Sequence, residues 1–122
     1  MNSFSVNGKR ILAIDDDPDL LDVLEEEILD AHPDFNIEKA STYPQAIEKM
    51  VWSNYDAVIL DITSFYGFKL LKLAQSRHLP VGLLIAYPES PRLPTQMAAR
   101  AFLSKGRLGE VVPFLDKVMS PC

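Results

Sequence analysis

The chain is nearly without cysteine: one thiol in 122 residues, and it is the last, Cys122. No disulfide can close within it, so a disulfide-stapled fold is excluded and a reducing, cytoplasmic setting is expected. Long apolar runs are also missing. None approaches the roughly 20 residues needed to cross a bilayer, and the opening MNSFSVNGKRILAIDDD has no apolar core of a signal peptide before its first acids. Positive charge is scarce, with 12 Lys and Arg against 17 Asp and Glu, a net charge of −5 and a pI near 4.9. A nucleic-acid partner would need clustered basic residues, so none is expected, and no membrane either. A cation or a basic protein surface fits this charge.

What remains is ordinary globular material, 48% hydrophobic and 24% charged. The length suits one domain, with a core expected over about 9–119 and no output domain beside it. There is no internal repeat and no low-complexity linker. Short apolar runs alternate with amphipathic segments. RILAI (10–14) reads as a buried strand that meets three acids, Asp15, Asp16 and Asp17. A helix follows, with Asp17 as its N-cap, Pro18 at its first position, and Leu20, Leu21, Leu24, Ile28 and Leu29 at helical spacing. FNIEKA (35–40) is a weaker strand. Thr42 and Gln45 form a capping-box pattern before a helix through Ala46, Ile47 and Met50.

AVIL (57–60) is a third strand, again ending on an acid, Asp61, and 67–76 is helical. VGLLIA (81–86) is a fourth strand. The stretch 87–94 carries Pro88, Pro91 and Pro94, so any helix there is short and late. Ala101 to Leu103, leading to Ser104 and Lys105, is a fifth strand. A last helix spans 108–119, and Pro113 is tolerable only near its start. Five βα units in series predict an α/β fold: a parallel sheet covered by helices on both faces, with its ligand site beyond the carboxyl ends of the strands.

That edge gathers the chemistry. The first strand delivers Asp15 and Asp16, the third Asp61, the fifth Lys105. The groups converge if strands one, three and five are central neighbours. A lone acid after a strand is commonly just a helix cap, which is the role read for Asp17. Acids after two buried strands and a lysine after a third are a more specific pattern. Carboxylates held together repel by on the order of 4 kcal/mol per close pair at an effective dielectric near 20. Such a cluster takes up protons or recruits a cation. An all-oxygen donor set suits Mg2+ better than Zn2+. His32 and His78 lie in other segments and read as surface residues.

ILAIDDDPDLLDVL, YDAVILDI, LPVGLLIA and AFLSK, in this order, resemble the response-regulator receiver domain of two-component signalling, over nearly the whole chain. The resemblance implies a flavodoxin-like doubly wound sheet of strand order 2-1-3-4-5 and a signalling module rather than an enzyme. It implies that Asp61 accepts a phosphoryl group from a histidine kinase or phosphotransfer protein. It also implies that Asp15 and Asp16, with Asp61 and the backbone carbonyl of Thr63, hold Mg2+. Asp16 would be the more direct ligand and Asp15 would act through water. Lys105 would pair with the phosphoryl oxygens, and a downstream protein would receive the signal.

Three features depart from the family pattern. Ile85, followed by Ala86, stands where the family has a threonine or serine. The loop DITSFYGF after Asp61 reaches Gly67 early and lacks proline. Lys105 is followed by Gly106 rather than proline, and the aromatic switch position is Phe102, without a tyrosine hydroxyl. These losses lie on the switching side, so switching is expected to be weakened. The competing expectation is a pseudo-receiver that binds partners without phosphorylation. A phosphatase-type hydrolase would need a second acid two residues after Asp61, where Thr63 stands. A calcium loop at DDDPD lacks its central glycine and closing glutamate.

Overall fold

A computed structural model describes residues 8–61, 67–85 and 101–119, apart from the side chains of Ala101 and Phe102. β1 (Arg10–Ile14), β2 (Asn36–Ala40), β3 (Ala57–Asp61), β4 (Val81–Ile85) and β5 (Ala101–Ser104) form one parallel sheet in the order β2-β1-β3-β4-β5. α1 (Pro18–Ala31) follows β1, α2 (Tyr43–Trp52) follows β2, and α3 (Gly67–Ser76) follows β3. After β5 a 3-10 turn (Leu108–Glu110) leads into α4 (Val111–Met119).

Every residue of β3 and β4 is buried, the pattern of central strands covered on both faces. Alternation along the strands divides the core. Leu12, Ile14, Val58, Leu60, Leu83 and Ile85 meet Met50 of α2 and Leu70 of α3 in one cluster. Ile11, Ala13, Ile59, Leu84 and Leu103 meet Leu24 and Ile28 of α1 and Phe114 of α4 in the other.

The helix starts follow the expected chemistry. The Asp17 side chain accepts from the N–H groups of Asp19 and Leu20, and Pro18 opens α1. At α2, Thr42 Oγ1 accepts from the N–H of Gln45 at 3.3 Å, but the glutamine returns its bond to the N–H of Ser41, one residue earlier than a regular capping box. Pro113 is the third residue of α4, where the helix N–H groups have no intrahelical partner to lose. The proline-rich stretch 87–94 lies outside the described residues. His78 is exposed, as expected. His32 is not a plain surface residue: it lies 2.7 Å from Asp116 Oδ1 of α4 and stacks on Phe35, which ties the end of α1 to the last helix.

A polar cluster, unforeseen in the sequence, fastens β2 to the sheet. Glu38 accepts from Arg10, from Lys49 Nζ at 3.2 Å and from the Tyr55 hydroxyl at 2.9 Å. The Arg10 guanidinium covers the Tyr55 ring. Its hydrogen bond holds the Glu38 carboxyl down to about 2, against an ordinary 4.5, with Tyr55 and Lys49 adding to the effect. A carboxyl depressed on folding stabilises above its unfolded pKa and loses that contribution as pH falls through its folded one. Glu38→Gln is therefore expected to destabilise by about 1–2 kcal/mol at pH 7, the partly exposed pair being discounted for solvent screening. The gap between wild type and variant should close between pH 4.5 and 2. Urea unfolding at pH 7 and pH 2 measures this, and a gap that stays constant contradicts it.

Candidate functional site

The carboxyl ends of β1, β3 and β5 carry the acids and the lysine. Asp61 is the last residue of β3, inside the strand rather than beyond it, and only 1% exposed. Asp15 follows β1 directly, and its N–H donates to the carbonyl of Ala40 at 3.2 Å, which extends the sheet ladder by one bond. Its side chain is fully buried. Asp16 is exposed. One carboxylate oxygen from each of Asp15, Asp16 and Asp61 falls within 4.8 Å of the others, so the three acids expected to converge do so.

β5 is not a neighbour of β1 and β3, contrary to the simplest arrangement that would bring these groups together. β4 lies between β3 and β5. Lys105 bridges the gap with its long stem. Its N–H donates to the carbonyl of Ile85 at 2.9 Å, and its Nζ reaches Asp61 Oδ2 at 2.8 Å and Asp15 Oδ2 at 3.2 Å. Burial opposes the charge on Lys105, but the hydrogen bond and attraction of Asp61, with help from Asp15, outweigh it and raise its pKa.

Burial pushes the Asp15 carboxyl up to about 6. The Asp61 charge adds to this, while the Asp17 N–H, donating to Asp15 Oδ1 at 2.9 Å, and Lys105 pull the other way. Asp15 Oδ2 is buried and makes no hydrogen bond, since its contact with Nζ is an ion pair outside hydrogen-bond geometry. A buried carboxylate oxygen without a hydrogen bond, on a residue grouped with two further carboxylates, belongs to a donor set suited to a hard cation. The residues present therefore fit Mg2+: Asp15, Asp16 and Asp61 would hold it. Thr63, the further ligand implied by the resemblance, lies outside the described residues.

Ile85, the last residue of β4, is 2% exposed and packed in the apolar cluster with Leu83 and Leu60. It pairs in register with Ser104. The Phe102 side chain and the loop after Asp61 lie outside the described residues. No peptide bond among the described residues is cis, that between Lys105 and Gly106 included.

The doubly wound parallel sheet thus gathers, at the carboxyl ends of its strands, acids from β1 and β3 and a lysine from β5, at the edge where such sheets bind ligands. No family model and no curated protein matches the chain. Solved structures do. The response regulator TrrA of Thermotoga maritima, in complex with Mg2+ and BeF, is 28% identical at a TM-score of 0.78, covering 91% of this chain and 99% of that one. TrrA in complex with the histidine kinase ThkA is 29% identical, with a TM-score of 0.76 over 92% of this chain and 99% of that one. The receiver domain of a Pseudomonas aeruginosa sensor histidine kinase, with magnesium coordinated in its active-site cleft, shares the fold at 20% identity and a TM-score of 0.75, over 90% of this chain and 96% of that one. The chain has the fold of these response-regulator receiver domains and resembles them over nine-tenths of its length, with the same five-stranded sheet in the order 2-1-3-4-5. No helix among the described residues is long and apolar enough to cross a membrane.

Proposed function

We propose that this chain is a response-regulator receiver, a signalling module that accepts a phosphoryl group on Asp61 from a histidine kinase or phosphotransfer protein and passes the signal to a protein partner. The observation that carries this is the placement of Asp61, buried at the strand end, 2.8 Å from Lys105 Nζ and grouped with Asp15 and Asp16. The complex of the similar TrrA with a histidine kinase supports the choice of donor. A carboxylate oxygen of Asp61 attacks phosphorus, an O–P bond forms, the P–N bond to the donor imidazole breaks, and the imidazole leaves with the bonding pair and takes up a proton. Mg2+, when bound, would neutralise charge on the phosphoryl oxygens. Lys105 supplies the second cation. Its ammonium already lies against Asp61 and can pair with a phosphoryl oxygen without travelling.

The output is the weaker half. A phosphoryl group adds about −1.5 to −2 charges, and a hydroxyl at the end of β4 would feel it. Ile85 presents only hydrocarbon, buried among other hydrocarbon. This observation favours a second reading, a pseudo-receiver whose partner binds the unphosphorylated surface.

Beryllium fluoride with Mg2+, a mimic of the phosphoryl group, separates the readings. The phospho-acceptor predicts saturable binding at millimolar Mg2+ that disappears in Asp61→Asn. No binding in wild type, or equal binding in the variant, sinks it. The pseudo-receiver predicts the same partner affinity for wild type and Asp61→Ala.

A further inference from the structure

The site carries its own competitor for the cation. Lys105 Nζ lies between the two buried acids, at 2.8 Å from Asp61 Oδ2 and 3.2 Å from Asp15 Oδ2. Asp15 Oδ1 is already committed to the N–H of Asp17. The Asp15 oxygen without a hydrogen bond is therefore Oδ2, the atom Lys105 faces. That oxygen is buried and has no hydrogen bond. The lysine contact offsets its charge but leaves its lone pairs open to a cation.

From this we infer that Lys105 is a tethered counter-ion that holds the metal-free site together and must give up Asp15 for a divalent cation to bind. This rests on the reading of the acids as an Mg2+ site. Three carboxylates and one ammonium leave two uncompensated negative charges, the complement of a divalent ion. With the ammonium gone, the same ion meets three, and binding strengthens. Lys105 thus opposes the cation even though it assists the phosphoryl group. Its presence keeps the metal-free domain folded around two buried acids while keeping Mg2+ affinity low.

The test is calorimetric titration of the whole chain with MgCl2 alone, at fixed ionic strength, together with the melting temperature of the metal-free protein. Lys105→Met is expected to bind Mg2+ at least tenfold more tightly than wild type and to melt lower without metal. Lys105→Gln, which keeps a hydrogen-bond donor without the charge, should show the same tightening. Lys105→Arg should stay within threefold of wild type. If Lys105→Met fails to fold without metal, recovery of its fold by MgCl2 supports the inference, and Lys105→Gln supplies the affinity. Wild-type binding with unchanged or weaker affinity in both neutral variants overturns the inference and leaves the metal site standing. Absence of Mg2+ binding in wild type and variants alike overturns both.

Discussion

Asp15→Asn is expected to make the metal-free protein more stable, not less, above pH 6. Asp15 is fully buried, and its carboxyl is pushed from 3.8 up to about 6 by desolvation first and by the neighbouring Asp61 charge second. A carboxyl whose pKa rises on folding binds more protons in the folded state, so stability falls as pH climbs from about 4 to 6 and stays reduced above that. The shift corresponds to about 3 kcal/mol as an upper bound. Asparagine has the same shape, keeps an oxygen to accept the Asp17 N–H and needs no charge. We expect a gain of about 1–3 kcal/mol at pH 8, shrinking towards zero near pH 4, together with loss of the stabilisation that Mg2+ gives wild type. Urea unfolding at pH 4 and pH 8, with and without MgCl2, measures both effects. A variant less stable than wild type at pH 8 without metal would falsify the account. The result would show that the site sacrifices stability for a cation-binding function.

Much of the fold was legible because the central strands are short apolar runs, two of which, β1 and β3, end on acids. RILAI, AVIL and VGLLIA could be placed from composition alone, since a strand buried on both faces has no alternation to blur its ends. The strand order came from the family resemblance, and pairings between residues dozens apart have no local signature. The same is true of the site. Asp15, Asp16 and Asp61 were visible as acids at strand ends, but Lys105 reaches them across β4, a route that depends on side-chain length rather than strand adjacency. The Arg10–Glu38–Tyr55 cluster escaped notice because its partners are 17 and 28 residues apart and Glu38 sits on an edge strand, where a charge looks merely solvated. Asp17 was readable, because capping is local.

The other large effect concerns Gly82, in the middle of β4. Glycine weakens a strand by entropy and by the packing it forgoes, so a buried one needs a reason. Here the reason is space. A Cβ built at Gly82 would fall 2.7 Å from Leu103 Cδ1 and 3.0 Å from the Phe114 ring. Leu103 is 4% exposed and Phe114 6%, so neither can swing into solvent. Gly82 is the hollow into which α4 sets its aromatic ring. Gly82→Val is expected to destabilise by about 1–3 kcal/mol, the clash exceeding the gain in strand preference. Phe114→Leu alone should be destabilising through lost packing. Together with Gly82→Val it should restore part of the loss, a coupling of about 1 kcal/mol or more in a double-mutant cycle. Strict additivity in urea unfolding would show that the two side chains do not share the space. The effect should also reach the site. Leu103 lies two residues before Lys105, and its Cδ1 is the atom nearest a Cβ at residue 82, so a strand pushed aside there moves the ammonium that spans Asp15 and Asp61. Gly82→Val is accordingly expected to alter Mg2+ affinity as well as stability, although residue 82 bears no polar side chain and touches neither acid.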